Sequence, residues 1–203
     1  KIQKLRDNTV GKLIVKEFPT AQAGVGHFRH LFNELNLKKS FVPDILIVDY
    51  INICTSSRYK PGANVNSYTY IKAIAEELRG MAVEYNIPVF SATQTTRGGF
   101  MSRDIGLEDT SESFGLPATA DFMFALISSE ELEAKNQIMV KQLKNRYNDP
   151  TINRKFIIGV DRSKMRLYDV EQKAQEDLVE SGQDDTIISK LTTKLGEFSD
   201  FKI

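Results

Sequence analysis

Apolar segments that alternate with helical segments constrain the fold of this chain more than any other feature. Residues 44–50 read DILIVDY, an almost continuous apolar run typical of a strand buried on both faces of a parallel sheet. Helical spacing of apolar residues precedes it at 22–39 and follows it at 71–85, and 88–92 then reads PVFSA. A further strand is predicted at Leu13–Val15. Strands and helices in this order predict a parallel α/β sheet flanked by helices.

The second half of the chain predicts antiparallel strands instead. Four apolar segments follow a long polar stretch, and they read FMFALI, QIMVKQL, KFIIGV and MRLYDV. The last two flank Asp161–Lys164, a good hairpin turn. We therefore expect an α/β fold whose parallel sheet is extended by antiparallel strands on its carboxyl-terminal side. The domain is predicted to span 1–171, and 172–203 to form a polar, acidic tail with a short helical pattern.

Composition excludes several classes of protein. The chain has 203 residues, 41% of them apolar, with 27 basic and 27 acidic side chains, as expected of a globular domain. Its one cysteine, Cys54, cannot form an internal disulfide or a cysteine-based zinc module, which indicates a reducing compartment. The apolar run before Asp49 is too short to span a bilayer, and the first residues lack a signal-peptide core. We expect a cytoplasmic protein that does not contact a membrane.

The balanced net charge conceals an uneven distribution. Residues 141–166 contain eight basic and two acidic side chains, whereas residues 169–185 contain one basic and seven acidic side chains. This pattern suits a surface that faces a polyanion or another subunit, followed by a solvated tail. A dipolar surface without any partner explains the charges equally well.

Two polar residues stand at the predicted carboxyl ends of parallel strands, where ligands bind in open α/β sheets. Asp49 ends DILIVDY, and a carboxylate there can hold a magnesium ion in a nucleotide site. Gln94 ends the next strand, where its amide can contact a γ-phosphate and its backbone leads into a loop. An aspartate that closes a strand is also a common turn or helix cap, so both interpretations stay open.

Four cations are further candidates. Arg97 and Arg103 lie on the polar loop after Gln94 and can reach nucleic-acid phosphates, or can simply be solvated. Lys144 and Arg146 lie two residues apart, so both project to one face if the strand continues that far. They can act in trans on a neighbouring subunit's nucleotide, or protect a strand edge from aggregation.

The histidines and the cysteine do not suggest a catalytic site. His27 and His30 lie three residues apart without an acidic or cysteine partner at ligand spacing, which favours a structural or surface role. Cys54 has no histidine near it in sequence that would activate its thiol.

Taken in order, four motifs resemble the DnaB-type, RecA-fold hexameric replicative helicases. DILIVDYINI resembles their Walker B strand, and PVFSATQTTR resembles the strand with the sensor glutamine. DTSESFGLPATADFMFAL resembles their Asp-Leu-Arg-Glu-Ser loop and the strand after it, and QLKNRYND resembles the lysine and arginine finger strand. The amino-acid sequences of these segments are most similar to those of the family members from T-even-type tailed phages. The resemblance covers about 12–171 and implies a RecA-like core.

The resemblance implies a role for each matching residue. Asp49 would bind magnesium, directly or through water, and Gln94 would sense the γ-phosphate. Lys144 and Arg146 would act across the subunit interface. Single-stranded DNA would be gripped by loop residues Arg97, Arg103, Glu112 and Gly115. Ser111 and Phe114 depart from the bacterial pattern, which has arginine and glycine at those positions.

One family motif is absent from these residues, because no G-x-x-x-x-G-K-[ST] P-loop occurs. We expect a carboxyl-terminal part of a longer helicase that cannot hydrolyse nucleoside triphosphate alone. The resemblance implies Mg²⁺ and ATP or another NTP as cofactors of the parent protein. It implies single-stranded DNA, a hexameric ring, primase and a helicase loader as its partners. A RecA-type strand-exchange ATPase and a non-enzymatic DNA-binding module remain alternatives.

Overall fold

The computed structural model describes residues 11–60, 64–95, 106–107, 115–149, 152 and 154–171. The chain divides into two compact units, one up to Gln94 and one from Thr95 onward. Each unit is built around its own sheet, a parallel pair in the first and four antiparallel strands in the second.

The first unit alternates helices with strands, as the sequence predicts. Its elements, in chain order, are α1 (Val25–Lys39), β1 (Leu46–Val48), a short 3₁₀ helix (Ile51–Ile53), α2 (Ser67–Tyr85) and β2 (Val89–Ser91). Strands β1 and β2 pair in parallel, with Ile47 opposite Phe90. Because α2 connects them, the two strands and this helix form one β-α-β crossover.

The two helices pack on each other through one apolar face of each. The α2 side chains Ile74 and Met81 are fully buried, and the ring of Phe32 from α1 meets Tyr85 edge-on at 5.0 Å. Asn66 caps α2 by accepting a hydrogen bond from the Thr69 N–H at 2.8 Å, which satisfies a backbone donor that the first helical turn leaves unpaired.

The strand predicted at Leu13–Val15 does not form. These residues have irregular backbone, and the side chains of Leu13 and Val15 are 85% and 83% exposed. An apolar run becomes a strand only where a neighbouring strand pairs with its backbone and a core covers one face. The described part of the chain offers this segment neither.

The prediction that β1 is buried on both faces is also wrong for the residues that the structure describes. Val48 is buried, whereas Ile47 on the opposite face is 70% exposed. Phe90, its cross-strand partner, is 54% exposed, so one face of the parallel pair is apolar and uncovered within the described residues. The apolar composition of β1 is therefore typical of a strand that is covered on both faces within a larger sheet, and the described two-stranded pair does not provide that cover.

The second unit is an antiparallel sheet in the strand order β3-β4-β5-β6. Its elements are α3 (Gly115–Thr119), β3 (Phe122–Ile127), α4 (Glu130–Ala134), β4 (Gln137–Asn145), β5 (Lys155–Asp161) and β6 (Arg166–Asp169). All four strands match predicted segments, and the hairpin turn between β5 and β6 forms where expected. A small core on one face contains Ala125 and Ile127, against which Met139 and Leu143 pack.

The two units confirm the predicted α/β class, with a parallel pair and helices followed by antiparallel strands. The described antiparallel strands form a sheet of their own, so the predicted extension of the parallel sheet is not seen among the described residues. The division between a domain at 1–171 and a tail at 172–203 stays a prediction, because the described residues end at Glu171. Among the described residues, no helix is long and apolar enough to cross a membrane.

Gly24, the residue before α1, packs against the backbone of the loop after the 3₁₀ helix. A Cβ at this position would collide with the Thr55 carbonyl oxygen, and Thr55 in turn donates its N–H to the Ala23 carbonyl at 2.7 Å. We expect Gly24→Ala to lower the free energy of unfolding by about 1–3 kcal/mol, because backbone cannot move aside as a flexible side chain can. Denaturant unfolding followed by helical circular dichroism measures the change.

Gly80 provides the matched control. It lies in the exposed middle of α2, and a Cβ there would meet nothing within 4 Å. Gly80→Ala is expected to raise the free energy of unfolding by up to about 1 kcal/mol through helix propensity alone. Equal effects of the two substitutions would contradict the packing of Gly24 against Thr55.

Candidate functional site

Asp49 and Gln94 lie beyond the carboxyl ends of neighbouring strands. Asp49 follows the last residue of β1 directly, and Gln94 comes three residues after the end of β2. Both side chains are exposed, and neither makes a hydrogen bond or an ion pair within the described residues. Because β1 and β2 are parallel and adjacent, the structure brings the two predicted residues to the same edge of the pair.

Hydrogen bonds continue past the strands and hold this edge in place. The Ile51 N–H donates to the Ala92 carbonyl at 3.1 Å, and the Thr93 hydroxyl donates to the Asn52 side-chain oxygen at 2.9 Å. The Ser91 hydroxyl donates to the Val48 carbonyl at 2.9 Å. These bonds join the backbone on either side of Asp49 to the backbone before Gln94. The backbone of this edge is therefore held on both strands, although the two candidate side chains have no partner among the described residues.

Glu77 on α2 holds the loop after the 3₁₀ helix in place, a role that the sequence did not reveal. Its carboxylate, 9% exposed, accepts the Ser56 hydroxyl and the Ser57 N–H, the latter at 3.1 Å from each oxygen. The Tyr70 hydroxyl, two helical turns earlier on α2, accepts the Ser56 N–H at 3.1 Å. The helix thus satisfies two consecutive loop donors that have no strand partner. A glutamate beside apolar helix positions was the only signal in the sequence.

The donor set suits magnesium that arrives with a nucleotide. Magnesium is commonly held by one or two carboxylates together with substrate phosphates and water. Asp49 supplies one exposed carboxylate at the strand end. No group of three or more histidine, cysteine, aspartate or glutamate side chains that could hold a metal occurs among the described residues. A magnesium ion at Asp49 would therefore need further ligands from a bound nucleotide or from water.

Two other residues considered from the sequence, Cys54 and His27, lie in the first unit. Burial raises the pKa of the Cys54 thiol, so this group stays protonated near neutral pH, and only the thiolate is a good nucleophile. The His27 Nδ1 atom accepts the Gly24 N–H at 3.2 Å at the start of α1. The contact of His27 is that of a structural residue at the start of a helix.

Lys144 and Arg146 lie at the end of β4, and both are held by the residues just before β3. The Lys144 Nζ atom donates to the Pro117 carbonyl at 2.6 Å, close to the end of α3. The Arg146 Nη1 atom donates to the Asp121 carboxylate at 2.8 Å. Because the Arg146 side chain is 48% exposed and the Asp121 side chain 31% exposed, solvent screens this ion pair, which contributes only about 0.2–1 kcal/mol to stability. Little folding stability would therefore be lost if the Arg146 guanidinium also bound a second anionic partner.

The pairing of β4 bears on the alternative that these cations protect a strand edge. Strand β4 lies between β3 and β5, but its ladder with β5 covers only Gln137–Lys141. Within the described residues, the end that carries Lys144 is in register with β3 alone, where Met123 is opposite. The strand reaches Asn145, and Arg146 is the first residue beyond it. Edge protection therefore remains compatible with Lys144, although both cations have partners within their own unit.

The predicted DNA contacts are only partly visible. Arg97, Arg103 and Glu112 lie outside the described residues. Gly115 is described, and it is buried as the first residue of α3. Its backbone carbonyl accepts the Thr119 hydroxyl at 2.9 Å. Gly115 is thus a buried residue at the start of α3, with its carbonyl engaged within the same helix.

Comparison with solved structures identifies the class of fold. One solved ATPase domain aligns with a TM-score of 0.62 over 73% of this chain and 52% of that chain, at 21% sequence identity. A DnaB-like replicative helicase, solved in a study of its interactions with primase, aligns with a TM-score of 0.62 over 73% of this chain and 36% of that one, at 20% identity. The fold is thus that of RecA-like helicase ATPase domains. No protein-family model matches the sequence.

Comparison with curated proteins narrows the class. The chain is 48% identical over 173 residues to the DnaB-like replicative helicase of Enterobacteria phage T4. The alignment covers 85% of this chain and 36% of that protein, so the chain spans about a third of its relative's length. The chain is therefore a relative of the DnaB-like replicative helicases, which confirms the resemblance seen in its motifs.

Proposed function

We propose that this chain forms part of a replicative DNA helicase motor that couples NTP hydrolysis at subunit interfaces to translocation on single-stranded DNA. The identity of 48% across most of the chain to a phage replicative helicase carries this proposal. A longer polypeptide would supply the P-loop, assemble as a hexameric ring and unwind forks in the host cytoplasm. Primase and a helicase loader would be its partners.

Each candidate residue has a role in this proposal. Asp49 holds the magnesium ion, which neutralises charge on the phosphates, and Gln94 contacts the γ-phosphate from the same edge of the sheet. Lys144 and Arg146 stabilise the charge that develops on the transferred phosphoryl group of the neighbouring subunit. Arg97, Arg103, Glu112 and Gly115 contact the DNA strand in the central channel.

Unwinding of a forked duplex by the longer protein, in the presence of NTP and Mg²⁺, tests the proposal. We expect strand separation and NTP hydrolysis that single-stranded DNA stimulates. Residues 1–203 alone provide the control and are expected to hydrolyse no NTP, because the backbone nest and the lysine of a P-loop are absent from them. Turnover by this chain that Asp49→Ala abolishes would overturn that expectation.

The same preparations distinguish the alternatives. A strand-exchange protein would pair homologous DNA and leave forks intact. A non-enzymatic module would bind single strands in a salt-dependent manner, without any effect of nucleotide. Either result, together with the absence of unwinding, would contradict the helicase proposal.

A further inference from the structure

Asp121 and Arg146 are opposite each other at one end of the ladder between β3 and β4. Asp121 directly precedes β3, and Arg146 directly follows β4. The Arg146 N–H donates to the Asp121 carbonyl at 3.0 Å, which extends the antiparallel pairing by one residue. The Arg146 Nη1 atom donates to the Asp121 carboxylate at 2.8 Å. Both the backbone and the side chain of Asp121 therefore hold this arginine.

A β-bulge in the ladder produces this register. The pairing shifts between Met123 and Phe124, where β4 inserts Leu143 between two consecutive pairs. The bulge moves every later pair by one residue, so Asp121 is opposite Arg146 and not opposite the residue before it. Bulges are frequent next to active sites, where they redirect a side chain. The contact between Asp121 and Arg146 is thus set by the pairing of two strands.

The ion pair leaves most of the Arg146 guanidinium available. Within the described part of the chain only its Nη1 atom is engaged, and the side chain is 48% exposed. A guanidinium has five donors in a rigid plane, so a carboxylate at one corner restricts its orientation while the other donors can bind a phosphate. The geometry is that of an oriented arginine and not of a sequestered one.

We propose that Asp121 is a positioning residue that holds the Arg146 guanidinium of its own subunit in the orientation needed to stabilise the transition state on the neighbouring subunit. This inference rests on the proposed function, in which Arg146 acts in trans. A long side chain without such a partner would have to lose rotamer freedom at the moment of reaction. A donor that is already oriented stabilises the developing charge without that reorganisation.

Asp121→Asn in the longer protein tests the inference through the steady-state constants of NTP hydrolysis. The amide keeps the size of the side chain, but its bond to the guanidinium loses the strength that the negative charge gives. We expect kcat to fall by about 10–100-fold, since a displacement of about 1 Å at a catalytic group has effects of this size. The KM for NTP is expected to change by less than about twofold, because Asp121 does not contact the nucleotide.

A transition-state analogue gives a readout that a merely structural role of Asp121 would not change. Aluminium fluoride with a nucleoside diphosphate and Mg²⁺ imitates the transferred phosphoryl group. We expect Asp121→Asn to weaken binding of this complex by the factor seen in kcat, and to leave binding of the diphosphate alone unchanged. Equal weakening of both ligands would overturn the inference, because it would indicate a general change in the nucleotide site.

Glu133→Gln is the matched control. Glu133 lies 4.0 Å from Arg162 in the same unit, so this substitution also removes a carboxylate that is paired with an exposed arginine. We expect its kcat to stay within about twofold of the wild type. Asp121→Glu keeps the charge and moves it by one methylene, so its kcat should lie between those of the wild type and Asp121→Asn. If Asp121→Asn does not fold, a reduced kcat in Asp121→Glu supports the inference and a wild-type kcat overturns it.

A double substitution shows whether Asp121 acts through Arg146. If it does, Asp121→Asn combined with Arg146→Ala has the same kcat as Arg146→Ala alone. A further decrease in the double variant would overturn the inference, as would a wild-type kcat in both Asp121 variants. An increased kcat would also overturn it, because Asp121 would then restrain Arg146. If Arg146→Ala by itself keeps the wild-type kcat, the proposed function of Arg146 fails, whatever the Asp121 variants show.

Discussion

Arg146→Ala in the longer protein is expected to reduce NTP hydrolysis by about 10³-fold or more, the effect of removing an arginine finger. The partial exposure of Arg146 and its single engaged nitrogen are consistent with a second partner of negative charge. Because the interaction forms only as charge develops in the transition state, the loss should fall on kcat with little change in KM. Steady-state hydrolysis with single-stranded DNA measures both constants.

Arg162→Ala is the matched control for this substitution. Arg162 lies in the turn between β5 and β6 of the same sheet, and its side chain is 57% exposed, 4.0 Å from Glu133. Its removal is expected to change kcat by no more than about twofold, as for an exposed ion pair of little energetic value. Equal losses from both substitutions would indicate a general effect of positive charge and contradict a specific role for Arg146.

Asp49→Asn is expected to lower hydrolysis by at least about a hundredfold, because a metal ion contributes several kcal/mol of charge stabilisation. The side-chain amide keeps the size of the carboxylate but binds a hard cation poorly. The Asp49 side chain makes no hydrogen bond or ion pair within the described residues, so the fold should tolerate the change. Hydrolysis and circular dichroism measured on one preparation separate loss of function from loss of structure.

Asp44→Asn is the control for the loss of one negative charge next to the same strand. Asp44 is exposed at the amino side of β1, so it lies at the opposite end of the strand from Asp49. Ligands bind at the carboxyl ends of parallel strands, and we therefore expect this variant to hydrolyse NTP at the wild-type rate. A comparable loss in Asp44→Asn would mean that the carboxyl edge of β1 and β2 is not the nucleotide site.

The elements that the sequence predicted correctly are those specified by local pattern. β3 to β6 all follow apolar segments bounded by turn residues, and the hairpin forms around Asp161. Helix α2 follows its apolar spacing from Ile71 to Tyr85. In these segments the periodicity, the caps and the turn chemistry agree, so one pattern suffices to define the element.

The failures come from contacts that a sequence pattern does not contain. Leu13–Val15 has the composition of a strand, but nothing in the described residues pairs with it. Ile47 is exposed because its face of the parallel pair has no cover there, although its composition suits burial on both sides. Strand formation depends on neighbours distant in sequence, and composition alone does not reveal whether those neighbours are present.

The candidate site shows the same distinction. The position of Asp49 and Gln94 at one shared edge could be predicted because a strand end is visible in the sequence and parallel strands share an edge. The roles of Glu77 and Asp121 could not be predicted in this way. Their carboxylates meet donors 20 and 25 residues away in the chain, at Ser57 and Arg146. Such pairings depend on how a loop packs on a helix or on a strand register.

The central claim is that two subunits complete one nucleotide site, and mixing two inactive variants tests it directly. Asp49→Asn and Arg146→Ala forms of the longer protein are combined before ring assembly, and DNA-stimulated hydrolysis is compared with that of each form alone. In a ring assembled at random from equal amounts of the two forms, about a quarter of the interfaces pair an intact Asp49 with an intact Arg146, because the interface is heterologous. We predict that activity reappears in the mixture. A mixture no more active than its two components, with mixed rings verified, would contradict the account.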